Sequence, residues 1–226
     1  MDKTIRAVPY ARLPAHDSLL PTITGRESPA KAAEASGNLS RGLEWLWQYL
    51  RDIPHPRILD CGPIRQSTVS ILMHRGVKLY VADLLTPLQS EAAQLWDRSQ
   101  KTPQFRLEAF LEQVPPIPPA SLTAVFGWQV PDLAPRAVLP GFMARIISYL
   151  EPGGVFFCLL HEPHLPEGAG TTWWLESLTT LGSRCDANRP FPYPPITNRE
   201  MERLNPGGSV KTFLTRSGLR EVLALK

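Results

Sequence analysis

Two aspartates, Asp60 and Asp83, each close a short apolar run, and a lone glycine, Gly62, follows the first. A carboxylate at such a position accepts hydrogen bonds from a pair of neighbouring hydroxyls, and the glycine lets backbone approach a ligand closely. Trp128, Gln129 and Asp132 follow another apolar run, where the indole either walls a ligand site or closes the end of the core. His161, Glu162 and His164 follow a further run, VFFCLL. A spaced histidine pair needs a third ligand to hold a metal, and none is placed here, so no metal is expected. The histidines read as hydrogen-bonding loop groups or, as the sharper possibility, as a general base. No catalytic residue is assigned.

The elements that position these groups follow from periodicity. Arg57 to Cys61 reads as a strand, then come a polar loop, a helix, a turn at Gly76, and a second strand ending on Asp83. That is a βαβ unit, which places the carboxyl ends of both strands on one sheet edge, where ligands of open α/β sheets sit. Asp60, the loop and Asp83 are thus expected to share one site.

Before this unit, residues 1–38 mix Pro, Ala, Ser and Gly with no sustained period. They read as a leader, flexible or lying across the crevice or a second subunit, and residues 39–226 as the domain. Asn38 or Ser40 caps a helix whose Leu43, Leu46, Trp47 and Leu50 face the sheet, while Trp45 points elsewhere and suits an interface. LLTPLQSEAAQLWDRS reads as a helix. FRLEAFLEQV is expected to hold the third strand, although its pattern also fits a helix. The fourth strand is Leu122 to Phe126. LPGFMARIISYL is an amphipathic helix, and EPGG turns it into the fifth strand. Thr171 to Leu181 reads as a helix, Tyr193 lies in a Pro-rich loop, and Thr197 caps a short helix. Two alternating segments across Ser217-Gly218 close the chain as a hairpin.

At Leu59, Asp60 and Gly62, and again at Pro152, Gly153 and Gly154, the chain resembles the class I S-adenosylmethionine-dependent methyltransferases, with their LDxGxGxG loop and LKPGG-like turn. The resemblance implies a Rossmann-like fold, a mostly parallel seven-stranded sheet with a C-terminal antiparallel hairpin and helices on both faces. It implies S-adenosylmethionine as cofactor, with Asp60, Gly62, Asp83, Leu84 and Trp128 as its contacts. Asp83 would hold the ribose, and Glu108 or Glu112 is nearest to the family's adenine-binding acid. Ile64 and Gln66 stand where the family has its second and third glycines, and are expected to put side-chain volume at the amino-acid end of the cofactor. Thr123 stands where the family often has Asp. Two functions stay open: methyl transfer to a small-molecule or protein acceptor, and a catalytically inactive scaffold or regulatory partner. A nicotinamide oxidoreductase needs a GxGxxG turn that is absent.

The chain has 226 residues, enough for one sizeable core, and a net charge of +3 without any block of like charge, which argues against nucleic acid as partner. No run approaches the roughly 18 apolar residues that a membrane span requires. The three cysteines, Cys61, Cys158 and Cys185, have no paired spacing and read as reduced groups in a cytoplasmic protein. A homo-oligomer or protein partner would use the leader or the Trp-bearing helix.

Overall fold

The computed structural model describes residues 34–90, 92–99, 101–162, 171–185, 191–215 and 219–226. The chain divides into two units, Met1–Lys31 and Ala32–Lys226, and every described residue lies in the second. Most of the expected leader, His164 and the Ser217-Gly218 turn fall outside the described residues.

The first described element of the second unit is strand β1 (Glu34–Leu39), which overlaps the end of the stretch read as leader. Helix α1 (Arg41–Tyr49) follows, capped by Ser40, whose hydroxyl accepts from the Leu43 amide at 3.0 Å. Its Leu43, Leu46 and Trp47 are buried as the spacing predicts. Trp45 stacks on Tyr49 at 5.0 Å and lies 4.6 Å from the Lys211 ammonium, so its own chain covers part of the ring. The βαβ unit forms as β2 (Arg57–Asp60), α2 (Gln66–His74) and β3 (Lys78–Val81).

Three expectations fail beyond this point. The long helix after Asp83 is replaced by a short α3 (Leu85–Gln89), a single tight turn and β4 (Trp96–Asp97). FRLEAFLEQV holds no sheet strand: β5 (Gln104–Phe105) pairs only with β4, and Leu107–Leu111 is helix α4. The helix wins because Leu107, Phe110, Leu111 and Val114 recur at helical spacing, and the last three are buried. The main sheet therefore has six strands among the described residues, not seven.

The chain continues through β6 (Leu122–Trp128), α5 (Val130–Leu133), α6 (Leu139–Tyr149) and β7 (Leu150–His161). Thr171–Leu181, read as a helix, instead forms β8 (Thr171–Leu175) and part of β9 (Thr180–Cys185). The Glu176 and Ser177 amides both donate to the Thr180 carbonyl, which closes the turn between them. β-Branched and aromatic residues in TTWWL suit a pleated surface, and Gly182 opposite Trp174 leaves room for the indole. Helix α7 (Asn198–Leu204), with a capping box from Thr197 to Glu200, then leads into β10 (Ser209–Leu214) and β11 (Leu219–Leu225).

The main sheet runs β10-β11-β7-β6-β2-β3. β3, β2, β6 and β7 are parallel, while β11 is antiparallel to β7 and β10 to β11. All seven residues of β6 are buried, as expected for a strand covered on both faces. A separate antiparallel sheet, β1-β9-β8, is joined to α2 by the Leu175 amide, which donates to the Thr68 hydroxyl at 3.1 Å. No described helix is long and apolar enough to cross a membrane.

Strand order reverses at β2, since β3 pairs on one side and β6 on the other. Such a reversal opens a crevice at the carboxyl ends of the two strands. At the end of β6 the pairing with β7 shifts between Phe126 and Trp128, with Gly127 as the irregular residue. A Cβ on Gly127 would run into the ring of Phe156. Gly127→Ala should therefore lower stability by about 1–3 kcal/mol, the range for overpacking a tight site. Urea unfolding checks this: the midpoint should fall at unchanged slope.

Candidate functional site

The crevice is built from the ends of β2, β3 and β6. The Cys61 amide donates to the Phe126 carbonyl at 2.9 Å, which ties β2 to β6. On the other side the Ala82 amide donates to the Asp60 carbonyl at 2.9 Å and the Leu84 amide to the Cys61 carbonyl at 3.0 Å. These bonds bring Asp60, Gly62 and Asp83 to one lip of the sheet, as the βαβ reading expects.

Asp60 is buried, 3 % exposed. Its Oδ1 accepts from the Gly62 amide at 3.0 Å and from the Trp128 indole Nε1 at 2.5 Å. The shifted end of β6 delivers that indole: Trp128 has φ 46, a left-handed conformation that non-glycine residues seldom adopt. Trp128 is 1 % exposed and packs on Phe126 and Phe157. A Cβ on Gly62 would come within 2.8 Å of the Trp128 nitrogen. The close approach that Gly62 permits is thus taken by an indole of the same chain.

Ile64 and Gln66 do not fill the crevice. Ile64 is 73 % exposed, and Gln66 is exposed with its amide donating to Ser70 one turn on. Ile64 lies in the loop leading into α2 and Gln66 is the first residue of that helix, and neither has the positive φ that favours glycine. The volume expected from them comes from Trp128.

Asp83 is half-buried and its Oδ1 accepts from the Thr86 amide at 2.9 Å, holding the first turn of α3. Leu84 is fully buried in the core. Glu108 and Glu112 are exposed, and Glu108 lies 3.6 Å from Arg145 of α6, along a groove with the Pro115–Pro118 turn. At the ends of β6 and β7, Asp132 Oδ2 accepts from the His161 amide at 2.7 Å and lies 2.9 Å from the ring Nδ1. The His161 ring stacks on Phe191 at 4.0 Å, and Glu162 pairs with Arg220. The Asp132–His161 and Asp60–Trp128 contacts were missed in the sequence. The available signal was that each joins residues at or just beyond the carboxyl ends of strands that turn out to be neighbours. Among the described residues no group of three or more His, Cys, Asp or Glu is placed to hold a metal.

The sequence matches no family model and no curated protein. Solved structures do match. One is a Burkholderia thailandensis 1,6-didemethyltoxoflavin-N1-methyltransferase with bound 1,6-didemethyltoxoflavin and S-adenosylhomocysteine (16% identity, TM-score 0.45, 82% of this chain and 76% of that one). Others are S-adenosylmethionine-dependent methyltransferases from Aquifex aeolicus (12%, 0.45, 83% and 90%) and Archaeoglobus fulgidus (10%, 0.43, 81% and 94%). All three of these are methyltransferases. At these identities and scores the likeness is one of chain path and assigns no residue a role.

Burial dominates the electrostatics of the crevice. It pushes the Asp60 carboxyl from its ordinary 3.8 up to about 6, against the hydrogen bonds from Trp128 and Gly62, and the charge of Asp83 adds to the rise. Burial also raises the Cys61 thiol, helped by Asp60, so Cys61 is a protonated core group. Because folded Asp60 keeps its proton to higher pH than the unfolded chain does, its contribution to stability falls as pH rises from about 4 to about 6. The magnitude is about 2–3 kcal/mol at 1.36 kcal/mol per pKa unit. Glu221, raised by its own burial, acts in the same sense and is common to variant and wild type. The stability of Asp60→Asn relative to wild type should accordingly improve by about 2–3 kcal/mol between pH 4 and pH 7. Denaturant titrations at both pH values test it, and a pH-independent difference would show that Asp60 titrates normally.

Proposed function

We propose that the protein is a methyltransferase-like protein that takes S-adenosylmethionine at the carboxyl edge of its sheet and passes a methyl group to an acceptor. The observation that carries this reading is the position of Asp83, half-buried at the end of β3 and held by backbone bonds against the Asp60–Gly62 loop. A carboxylate so placed accepts hydrogen bonds from the two hydroxyls of a ribose, at roughly 1.5–3 kcal/mol for each bond to a charged group. S-Adenosylmethionine supplies an activated methyl, and its transfer rests on alignment and exclusion of water, so no side-chain base is required. Buried, unpaired Cys61 and Cys158 suit a reducing compartment such as the cytoplasm.

The residues present fit the nucleoside half of that cofactor better than the amino-acid half. Beside Gly62 the indole of Trp128 occupies the space where a ligand would approach the backbone. That observation favours a second reading, in which the fold is kept as a scaffold or regulatory partner without transfer.

Calorimetric titration with S-adenosylmethionine and S-adenosylhomocysteine separates the two. Under the first reading wild type binds both, and Asp83→Asn weakens binding on the order of tenfold, as expected for losing one charge-assisted bond. Asn keeps an oxygen for the Thr86 amide, so the first turn of α3 keeps that hydrogen bond and the melting temperature should change little. No heat from wild type at millimolar ligand would leave the scaffold reading standing.

A further inference from the structure

A second cavity, of about 570 Å³, opens along α3, the β4–β5 hairpin and the segments after α5 and β9. Its volume is that of an ordinary small-molecule site. None of Asp60, Gly62, Asp83 or Trp128 lines it. The walls are aromatic and rich in proline. Trp96 and Phe105, paired across the hairpin, meet edge to face at 5.3 Å, and Tyr193 also lines the cavity, with the Arg136 guanidinium 5.4 Å from its ring. Leu88 and Leu133 add apolar surface, and Pro87, Pro103 and Pro135 fix the backbone around them.

The charge of the cavity is one-sided. Arg98 and Lys101 line it and are exposed, and no Asp or Glu does. Among the described residues neither cation has an acidic partner within ion-pair distance. The acid next to Arg98 in the chain, Asp97, spends its Oδ1 on the amide and hydroxyl of Ser99, at 2.9 and 2.6 Å. Two cations beside aromatic walls select a ligand that is both flat and negative. The ring gains by burial and stacking, and the anion takes charge-assisted bonds from a forked guanidinium and an ammonium.

We propose that this cavity binds a planar aromatic anion, its ring between the Trp96–Phe105 pair and Tyr193 and its carboxylate, sulfonate or phosphate on Arg98 and Lys101. The same two charges disfavour a sulfonium or ammonium ligand, which separates this cavity from the Asp83 site. The assignment goes beyond methyl transfer and does not depend on it.

The probe is 1-naphthoate, titrated by calorimetry into the full chain at low and at moderate salt, with the uncharged 1-naphthamide as its isostere. Expected results are saturable naphthoate binding, affinity at least fivefold above that of naphthamide, and weakening by salt. The double variant Arg98→Gln, Lys101→Gln changes only exposed side chains and should lose the charge preference, bringing naphthoate down to the level of naphthamide. A control pair on another face, Arg51→Gln with Lys78→Gln, should bind as wild type does. Absence of naphthoate binding, equal affinity for the two probes, or undiminished binding by the Arg98, Lys101 variant would each overturn the proposal.

Discussion

The hydrogen bond from the Trp128 indole to the Asp60 carboxylate is the constraint on which the rest of the crevice depends. A carboxylate with 3 % exposure is costly to bury, and only donors aimed at it make the site tenable. Supplying them requires a shifted strand end at Gly127, a left-handed backbone at Trp128, and no side chain at Gly62. Each of these is unfavourable or restrictive alone. Together they are offset by the burial of a large aromatic cluster, Trp47, Phe126, Trp128 and Phe157, whose rings meet edge-on or tilted at centroid distances of 5.8–6.3 Å. The clamp thereby fixes the ends of β2 and β6 against each other at the point where the strand order reverses.

Much of the fold was legible because its signals are local. Apolar runs of four to seven residues bounded by Gly, Pro and charged groups, such as RILD and LTAVFGW, become strands. Ser40 and Thr197 start helices because their hydroxyls accept first-turn amides. Where the pattern admits two periods, the sequence misleads. Trp173, Trp174, Leu178 and Leu181 match a helix, yet β8 and β9 form because Gly182 accepts the indole across the pair, a contact that no single-strand pattern displays. The missing seventh strand has the same cause in reverse, since FRLEAFLEQV carries both periods and burial of Phe110 and Leu111 decides for α4.

The candidate site was legible only in part, for a different reason. Asp60, Gly62 and Asp83 announce themselves by lying at or just after the ends of apolar strands, and the sheet brings them together. What those residues touch depends on β6, far along the chain, and on the direction in which Trp128 leaves it. The glycine that looked like a ligand contact makes room for a tryptophan, and the substitutions that looked obstructive, Ile64 and Gln66, face water. Residue type at a motif position thus reports the local backbone, whereas occupancy of the crevice is settled by a tertiary contact.

The small β1-β9-β8 sheet shows how the crevice is braced from behind. The Ser40 amide donates to the Thr179 carbonyl at 2.8 Å, so the turn of the small sheet is tied to the cap of α1. Thr68 of α2 and the Arg65 guanidinium, 4.5 Å from the Trp174 ring, tie β8 to the start of the helix that follows the Asp60–Gly62 loop. That loop is therefore held at both ends, by Asp60 in the main sheet and by Arg65 and Thr68 against the small one. Electrostatics then divides this edge of the fold. The charge of Asp83 helps to keep the proton on Asp60, whereas the cavity beside the β4–β5 hairpin is lined by two cations and no acid.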